Sequence, residues 1–405
     1  MKVFFRTIHL YLSLAAGIII FCSCFTGTML VFEKEIQHTL NPQRYYVKPA
    51  GTRMALTYLI PGALKQVPKA KLSSVMVYNN PERAIEIAVI VPEKKNKRND
   101  GAPVPETDKG KKAESHDPKK PKADERSNLT LFVNPYTGQV IGQYNRRQTF
   151  MYKVEMFHRY LLGAKNSVGD WIVSLSTLFF LFILITGVVL WWPKTKKIMK
   201  HRLKIKWDGS AKRLTHDLHI VTGFYTSVFL IVVVLTGLVM TFKWANATLF
   251  ALTGSKVVGK ELPKQPLSVY KADAVALSAD AVLTGMGKTI ATADYYSVRL
   301  PRDSSGTYSV TVWPNELVET VSDIYYVDQY SGRLAGSLTF ASKSLGQRVR
   351  AFVKPVHTGA VYGLPTQIIS FVVCALSLIF PVTGVMMWLN RTRKKKPRAK
   401  TLVTA

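Results

Sequence analysis

Four long stretches of this chain carry no charged residue: Leu10–Phe32, Trp171–Trp192, Ile220–Phe242 and Thr366–Leu389, of 23, 22, 23 and 24 residues. About 20 apolar residues in a helix cross a hydrocarbon core of roughly 30 Å. Each run is therefore long enough to span a membrane, which excludes a soluble enzyme and a secreted disulfide scaffold. The three cysteines, Cys22, Cys24 and Cys374, all fall inside these runs and read as packing residues, not bridge partners. The first run is too long for the apolar core of a signal peptide, and no small-x-small cleavage site follows it before Glu33. It reads as a retained anchor.

Charge then predicts the topology. Segments 1–9, 193–215 and 390–405 together hold 18 basic residues and one acid, Asp208. Short flanks of this kind stay in the cytoplasm, whereas long connections cross regardless of charge. Both termini are expected inside and both long connections outside. The net charge of +30 would also suit a nucleic-acid binder. Most of the excess, however, sits where topology already requires it and in one low-complexity insert, so nucleic acid is not an expected partner.

The expected order is transmembrane helix 1 (1–33), an extracytoplasmic module (34–168), helix 2 (169–192), a basic cytoplasmic loop (193–215), helix 3 (216–242), a second module (243–365), helix 4 (366–389) and a basic tail (390–405). In the first module, residues 54–66 suggest a short helix interrupted by Pro61. Alternation and turn signals predict strands at Ser73–Asn79, Ala84–Val91, Leu129–Val133 and Gln139–Tyr144. The insert 93–127 is too polar to bury a core and is expected to be disordered. In the second module a helix is expected over Lys271–Thr284, with strands at Asp294–Leu300, Thr307–Trp313, Asp323–Val327 and Leu334–Leu338. The turns Asn134-Pro135-Tyr136-Thr137-Gly138 and Asp328-Gln329-Tyr330-Ser331-Gly332 echo each other. The predicted fold class is a membrane all-α four-helix bundle, built as a two-fold internal repeat, with two small extracytoplasmic α+β modules.

The repeat is most informative in its histidines. His9 precedes Thr26-Gly27 by 17 and 18 residues, and His219 precedes Thr236-Gly237 by the same spacing. His158 leads into a span ending Thr186-Gly187-Val-Val-Leu-Trp-Trp, and His357 into one ending Thr383-Gly384-Val-Met-Met-Trp. With the expected topology, His9 and His219 fall at the cytoplasmic ends of their spans. His216, three residues before His219 and near the same helix face, is a second candidate there. His158 and His357 fall on the outer side, about ten residues before their apolar runs, and are expected to reach the membrane through an extended or tilted helix. Thr-Gly pairs read first as close helix–helix packing.

Two imidazoles from different helices can supply both axial ligands of a haem iron. Two such pairs would hold two haems, one near each face. A structural zinc wants four clustered ligands and a catalytic one three, a poorer match to two or three histidines per face. A proton relay normally needs ionisable groups at mid-span, and the four runs contain no acid or base. His38, His116 and His201 lack repeat partners and read as structural or solvent-exposed. Arg6, Arg159 and Arg213 read as solvated or topology-setting residues. No Gly-x-Gly-x-x-Gly follows a strand, so an electron donor would have to be another protein, a quinol or a free reduced flavin.

Arg6-Thr-Ile-His9, Phe157-His158-Arg159 with Gly163, Thr186-Gly187 with Trp191-Trp192-Pro193, His216-Asp217-Leu218-His219 with Gly223, His357-Thr358-Gly359 with Gly363, and Thr383-Gly384 with Trp388 together resemble the PepSY-associated transmembrane, or iron-regulated membrane protein, family. The resemblance covers nearly the whole chain. It implies two outer PepSY domains, bis-histidine b-type haem, and likeness to inner-membrane di-haem reductases of periplasmic ferric siderophores. A non-enzymatic membrane scaffold that binds a periplasmic protein is the competing expectation.

Overall fold

The computed structural model describes residues 1–92, 126–257, 265–269 and 274–392. All but the last two residues of the 93–127 insert, and the tail from 393, lie outside that set.

The chain opens with helix α1 (Lys2–Leu30), followed by the short helices α2 (Glu33–Leu40), α3 (Pro42–Tyr45) and α4 (Leu56–Lys65). Helix α4 runs through Pro61 without a break, where an interruption was expected. Strands β1 (Lys71–Tyr78), β2 (Ile85–Pro92), β3 (Arg126–Val133) and β4 (Val140–Tyr144) come next, then helices α5 (Phe150–Tyr160), α6 (Val168–Trp191), α7 (Lys196–Arg202) and α8 (Ala211–Thr241). The second connection holds α9 (Lys243–Leu252), α10 (Ala279–Gly285), α11 (Gly287–Ala291) and strands β5 (Tyr295–Arg299), β6 (Thr307–Trp313), β7 (Asp323–Asp328) and β8 (Leu334–Leu338). Helices α12 (Leu345–Thr358), α13 (Leu364–Ser377) and α14 (Ile379–Thr392) complete the described chain.

Helices α1, α6, α8 and the α13–α14 pair are the four membrane-length helices, the last spanning Leu364–Thr392. Their starts are set locally. At α6 and α8, Ser167 accepts a bond from the Asp170 amide and Ser210 from that of Arg213, which satisfies donors the helix itself cannot; α13 starts with Pro365 in its first turn. Large apolar side chains on these helices face outward, among them Ile18, Val228 and Trp171. That inverts the rule for water-soluble proteins and fits a hydrocarbon surround.

The strands of the two connections do not form two separate sheets. They make one antiparallel sheet of order β4-β3-β2-β1-β5-β6-β7-β8. The seam is the β1–β5 pair, from Val75 opposite Val298 to Tyr78 opposite Tyr295. Alternation sends Val75, Ile87, Val89, Leu131, Val298 and Val310 to one face, where they are fully buried with Leu59 of α4 and Val282 of α10. The two connections also share a helix cap: Asp280 of α10 accepts from the amides of Leu56 (2.7 Å) and Thr57 (2.8 Å) at the start of α4. The helix expected over 271–284 begins only at Ala279, because Ser278 takes the capping position; residues 271–273 lie outside the described set.

Candidate functional site

Helices α5 and α12 carry His158 and His357 in their last turns. Neither is a tilted extension of the following span, as the sequence suggested. Each is a separate helix that ends in a left-handed residue, Leu161 (φ 49°) or Gly359 (φ 78°), and reverses into the span. The reversal is tight. A Cβ on Gly169 would overlap the Tyr160 carbonyl, and one on Gly359 would overlap Ser370 Oγ. The turn thus holds both histidines inward against the bundle.

Two pairs of imidazoles result. At the end of the bundle that carries the N-terminus, the His9 and His219 rings have centroids 6.3 Å apart and planes at 81°. At the end that carries the sheet, His158 and His357 lie 6.4 Å apart at 63°. His216 does not join the first pair: it is half-exposed, and its Nδ1 lies 3.3 Å from the Asp217 carboxylate. His38 stacks on Tyr45 at 4.0 Å and is structural. His201 lines a cleft in the basic loop, and His116 lies outside the described residues.

Each of the four rings sits in the same kind of seat. His158 Nδ1 is 3.0 Å from the Ser23 carbonyl and 3.0 Å from Thr26 Oγ1. His9 Nδ1 is 3.1 Å from the Ile183 carbonyl and 3.0 Å from Thr186 Oγ1. His357 Nδ1 is 2.9 Å from the Val233 carbonyl and 3.1 Å from Thr236 Oγ1. His219 Nδ1 is 2.9 Å from Thr383 Oγ1. The glycine after each threonine faces the ring: a Cβ on Gly27, Gly187, Gly237 or Gly384 would lie 3.3–3.6 Å from the Cε1 of the seated histidine. Sequence spacing alone pointed to these Thr-Gly pairs as helix contacts. Their pairing with histidines of other helices becomes visible only in three dimensions.

The seats also fix the tautomer. Each threonine hydroxyl donates to a carbonyl of its own helix: Thr26 to Cys22 (2.7 Å), Thr186 to Phe182 (2.7 Å), Thr236 to Val233 (2.7 Å) and Thr383 to Ile379 (2.7 Å). With that proton committed, the oxygen can only accept from the ring. Nδ1 must therefore carry the hydrogen, which leaves Nε2 as a free base. This is the protonation pattern of a metal-ligating histidine with an outer-shell partner.

The spacing tests whether a metal centre fits between the rings. Two metal–imidazole bonds of about 2.0–2.1 Å in line, with about 1.2 Å from each ring centre to its nitrogen, sum to roughly 6.4–6.6 Å. The centroid separations of 6.3 and 6.4 Å come close to this, so the spacing of each pair fits two imidazoles sharing one haem iron. Among the described residues no group of three or more His, Cys, Asp or Glu could hold a metal ion.

Charged neighbours brace the sheet-end pair. Arg146 bridges Glu33 (2.8 Å) and Glu155 (2.6 Å), and Arg159 reaches Glu155 at 3.1 Å. Burial opposes ionisation of Glu155, but Arg146 and Arg159 outweigh it and hold its carboxyl below the usual range. Arg159 and Arg213 are thus both engaged by carboxylates of their own helices, the latter by Asp217 at 2.8 Å.

The family model described as the PepSY-associated TM region matches residues 6–391, and the chain belongs to that family. It is a multi-pass membrane protein. No curated protein matches the chain significantly.

Proposed function

We propose that the chain is an inner-membrane electron conduit that holds two b-type haems and reduces a periplasmic ferric complex, of the ferric-siderophore class, to release Fe(II). The observation that carries this reading is the pair of imidazole couples at 6.3 and 6.4 Å, one at each end of the bundle. His9 and His219 would hold one haem, His158 and His357 the other. When bound, the haems supply one-electron transfer between the two faces. The chain's own part is to present four Nε2 lone pairs from rings locked by threonine and carbonyl acceptors, so that little side-chain freedom is lost on ligation.

The likeness of the four seats supports the two-fold repeat, and the mirrored strand order about the β1–β5 seam supports two PepSY-like halves. The basic flanks support cytoplasmic termini, which puts the sheet in the periplasm beside the His158–His357 couple. A ferric chelate takes one electron there. Fe(II) is then bound less tightly by hard oxygen donors and leaves the chelator. Electrons would enter at the opposite face from a cytoplasmic donor or a quinol.

A reduced-minus-oxidised visible spectrum of the purified full chain tests the reading. Two b-type signals are expected. His9→Ala or His219→Ala should remove one, and His158→Ala or His357→Ala the other. A featureless spectrum after haem-replete expression would refute the conduit and favour a colourless PepSY scaffold.

A further inference from the structure

The loop between α6 and α8 contains a cleft of about 530 Å³ lined by Lys200, His201, Lys204, Lys206, Trp207 and Arg213, with Ile205 and Asp208. Topology explains why such a loop is basic. It does not explain why Lys200, Lys204, Lys206 and Arg213 line one concavity. The cleft is also anchored. Asp217, fully buried in α8, accepts from the Lys206 amide (3.3 Å) and from Arg213 Nε (2.8 Å), which fixes the loop backbone while leaving the side chains of Lys204 and Lys206 exposed. Because Asp217 engages Arg213, the cleft lining among the described residues leaves Lys200, Lys204 and Lys206 set against Asp208.

We infer that this cleft binds a phosphate ester. Clustered ammonium groups on a fixed backbone suit a phosphate, and Trp207, 71% exposed, offers an aromatic face beside them. A second cleft nearby, lined by Val188, Val189, Trp192 and Pro193 with Lys2 and Lys194, is the apolar one and suits an acyl chain. The polar cleft is the better match for a soluble phosphate carrying a planar ring, such as a flavin mononucleotide. Its Arg213 lies six residues from His219 on the same helix, about 9 Å along the axis. An occupant with a redox-active ring would therefore sit beside the His9–His219 end. The binding itself does not depend on haem.

The test is equilibrium binding to the full chain in phosphatidylcholine nanodiscs, with flavin mononucleotide, riboflavin, glycerol 3-phosphate and short-chain phosphatidylglycerol as probes. Saturable binding of flavin mononucleotide, at least tenfold tighter than riboflavin, is expected. Lys204→Gln with Lys206→Gln should weaken it about 30-fold, and Asp208→Asn should tighten it. These side chains are exposed, and an unchanged thermal transition checks the fold. Displacement by phosphatidylglycerol but not by glycerol 3-phosphate would keep the phosphate site and assign its source to the membrane. Absence of saturable binding by any phosphate probe, or equal binding by the double variant, would overturn the assignment. Neither result bears on the haem spectrum, so the two readings fail separately.

Discussion

Thr186→Val isolates the contribution of one histidine seat. Valine keeps the shape of threonine but removes the oxygen 3.0 Å from His9 Nδ1. The Ile183 carbonyl, 3.1 Å away, remains as the second acceptor, so the ring keeps its tautomer and loses one of two partners. A hydrogen bond of this kind contributes about 1 kcal/mol net, equivalent to roughly a fivefold weaker hold on the metal; outer-shell losses elsewhere reach 10- to 100-fold. A less basic imidazole stabilises ferric iron less than ferrous iron. If the whole fivefold falls on the oxidised form, the potential rises by about 40 mV, at 59 mV per tenfold for one electron. The assay is a potentiometric titration of the purified variant in the visible range, with haem content measured in parallel. One haem should shift upward while the other keeps its wild-type potential. Thr26→Val, which acts on His158, should shift the other one. Unchanged potentials and haem content in both variants would refute the role given to the seats. A shift of both haems by either variant would refute their local action.

Four further outcomes are expected. His216→Ala should leave both haem signals intact in the reduced-minus-oxidised spectrum, whereas His219→Ala loses one, because only the His219 ring meets His9. Gly187→Val should deplete the same haem, since a Cβ there would already lie 3.3 Å from His9 Cε1 and a branched side chain crowds the ring further; pyridine haemochrome content measures it. Burial opposes ionisation of Asp328, but the Ser331, Val269 and Tyr330 amides and the Ser331 hydroxyl outweigh it and hold its carboxyl pKa at about 2; a lowered pKa stabilises the fold above the ordinary value near 4 and loses that contribution as the pH falls through 2. Asp328→Asn should therefore cost about 2 kcal/mol at neutral pH and flatten the thermal-unfolding profile between about pH 4 and 2. Asp280→Ala, which removes the cap shared between the two connections, should cost about 1–2 kcal/mol in the same assay.

The legibility of the fold follows from the range of each interaction. The four spans could be read because a bilayer demands an uninterrupted apolar helix, and hydropathy is a local property of sequence. Strands β5 to β8 were readable for a similar reason: alternation is local, and turns such as Asp328–Gly332 are specified by their own side chains. The joining of β1 to β5 was not readable. Tyr78 and Tyr295 are neighbours across the seam but 217 positions apart in sequence, and alternation says which face a residue takes, not which strand lies beside it. The start of α10 was missed because hydrophobic periodicity continues past a cap, while Ser278 stops the helix by a side-chain bond.

The candidate site divides along the same line. A histidine at a span end is conspicuous because it is polar where apolar residues are required, so His9, His219, His158 and His357 stood out. Their matched spacing suggested which of them meet. The threonines did not stand out, since a hydroxyl bonded to its own helix carbonyl is an ordinary way to place threonine in a membrane. Yet that ordinary bond is what turns each oxygen into an acceptor toward the ring. The sequence distance from His9 to Thr26 marks the repeat and not a contact: Thr26 seats His158, and His9 is seated by Thr186. Spacing within one helix relates the seats of opposite ends, because α1 carries a paired histidine at one end and a seat at the other. The same division of labour in α8, with His219 near one end and Thr236 near the other, means that moving either helix along its axis disturbs both histidine couples at once. Helix length in α1 and α8 is therefore constrained by the site as well as by the thickness of the bilayer.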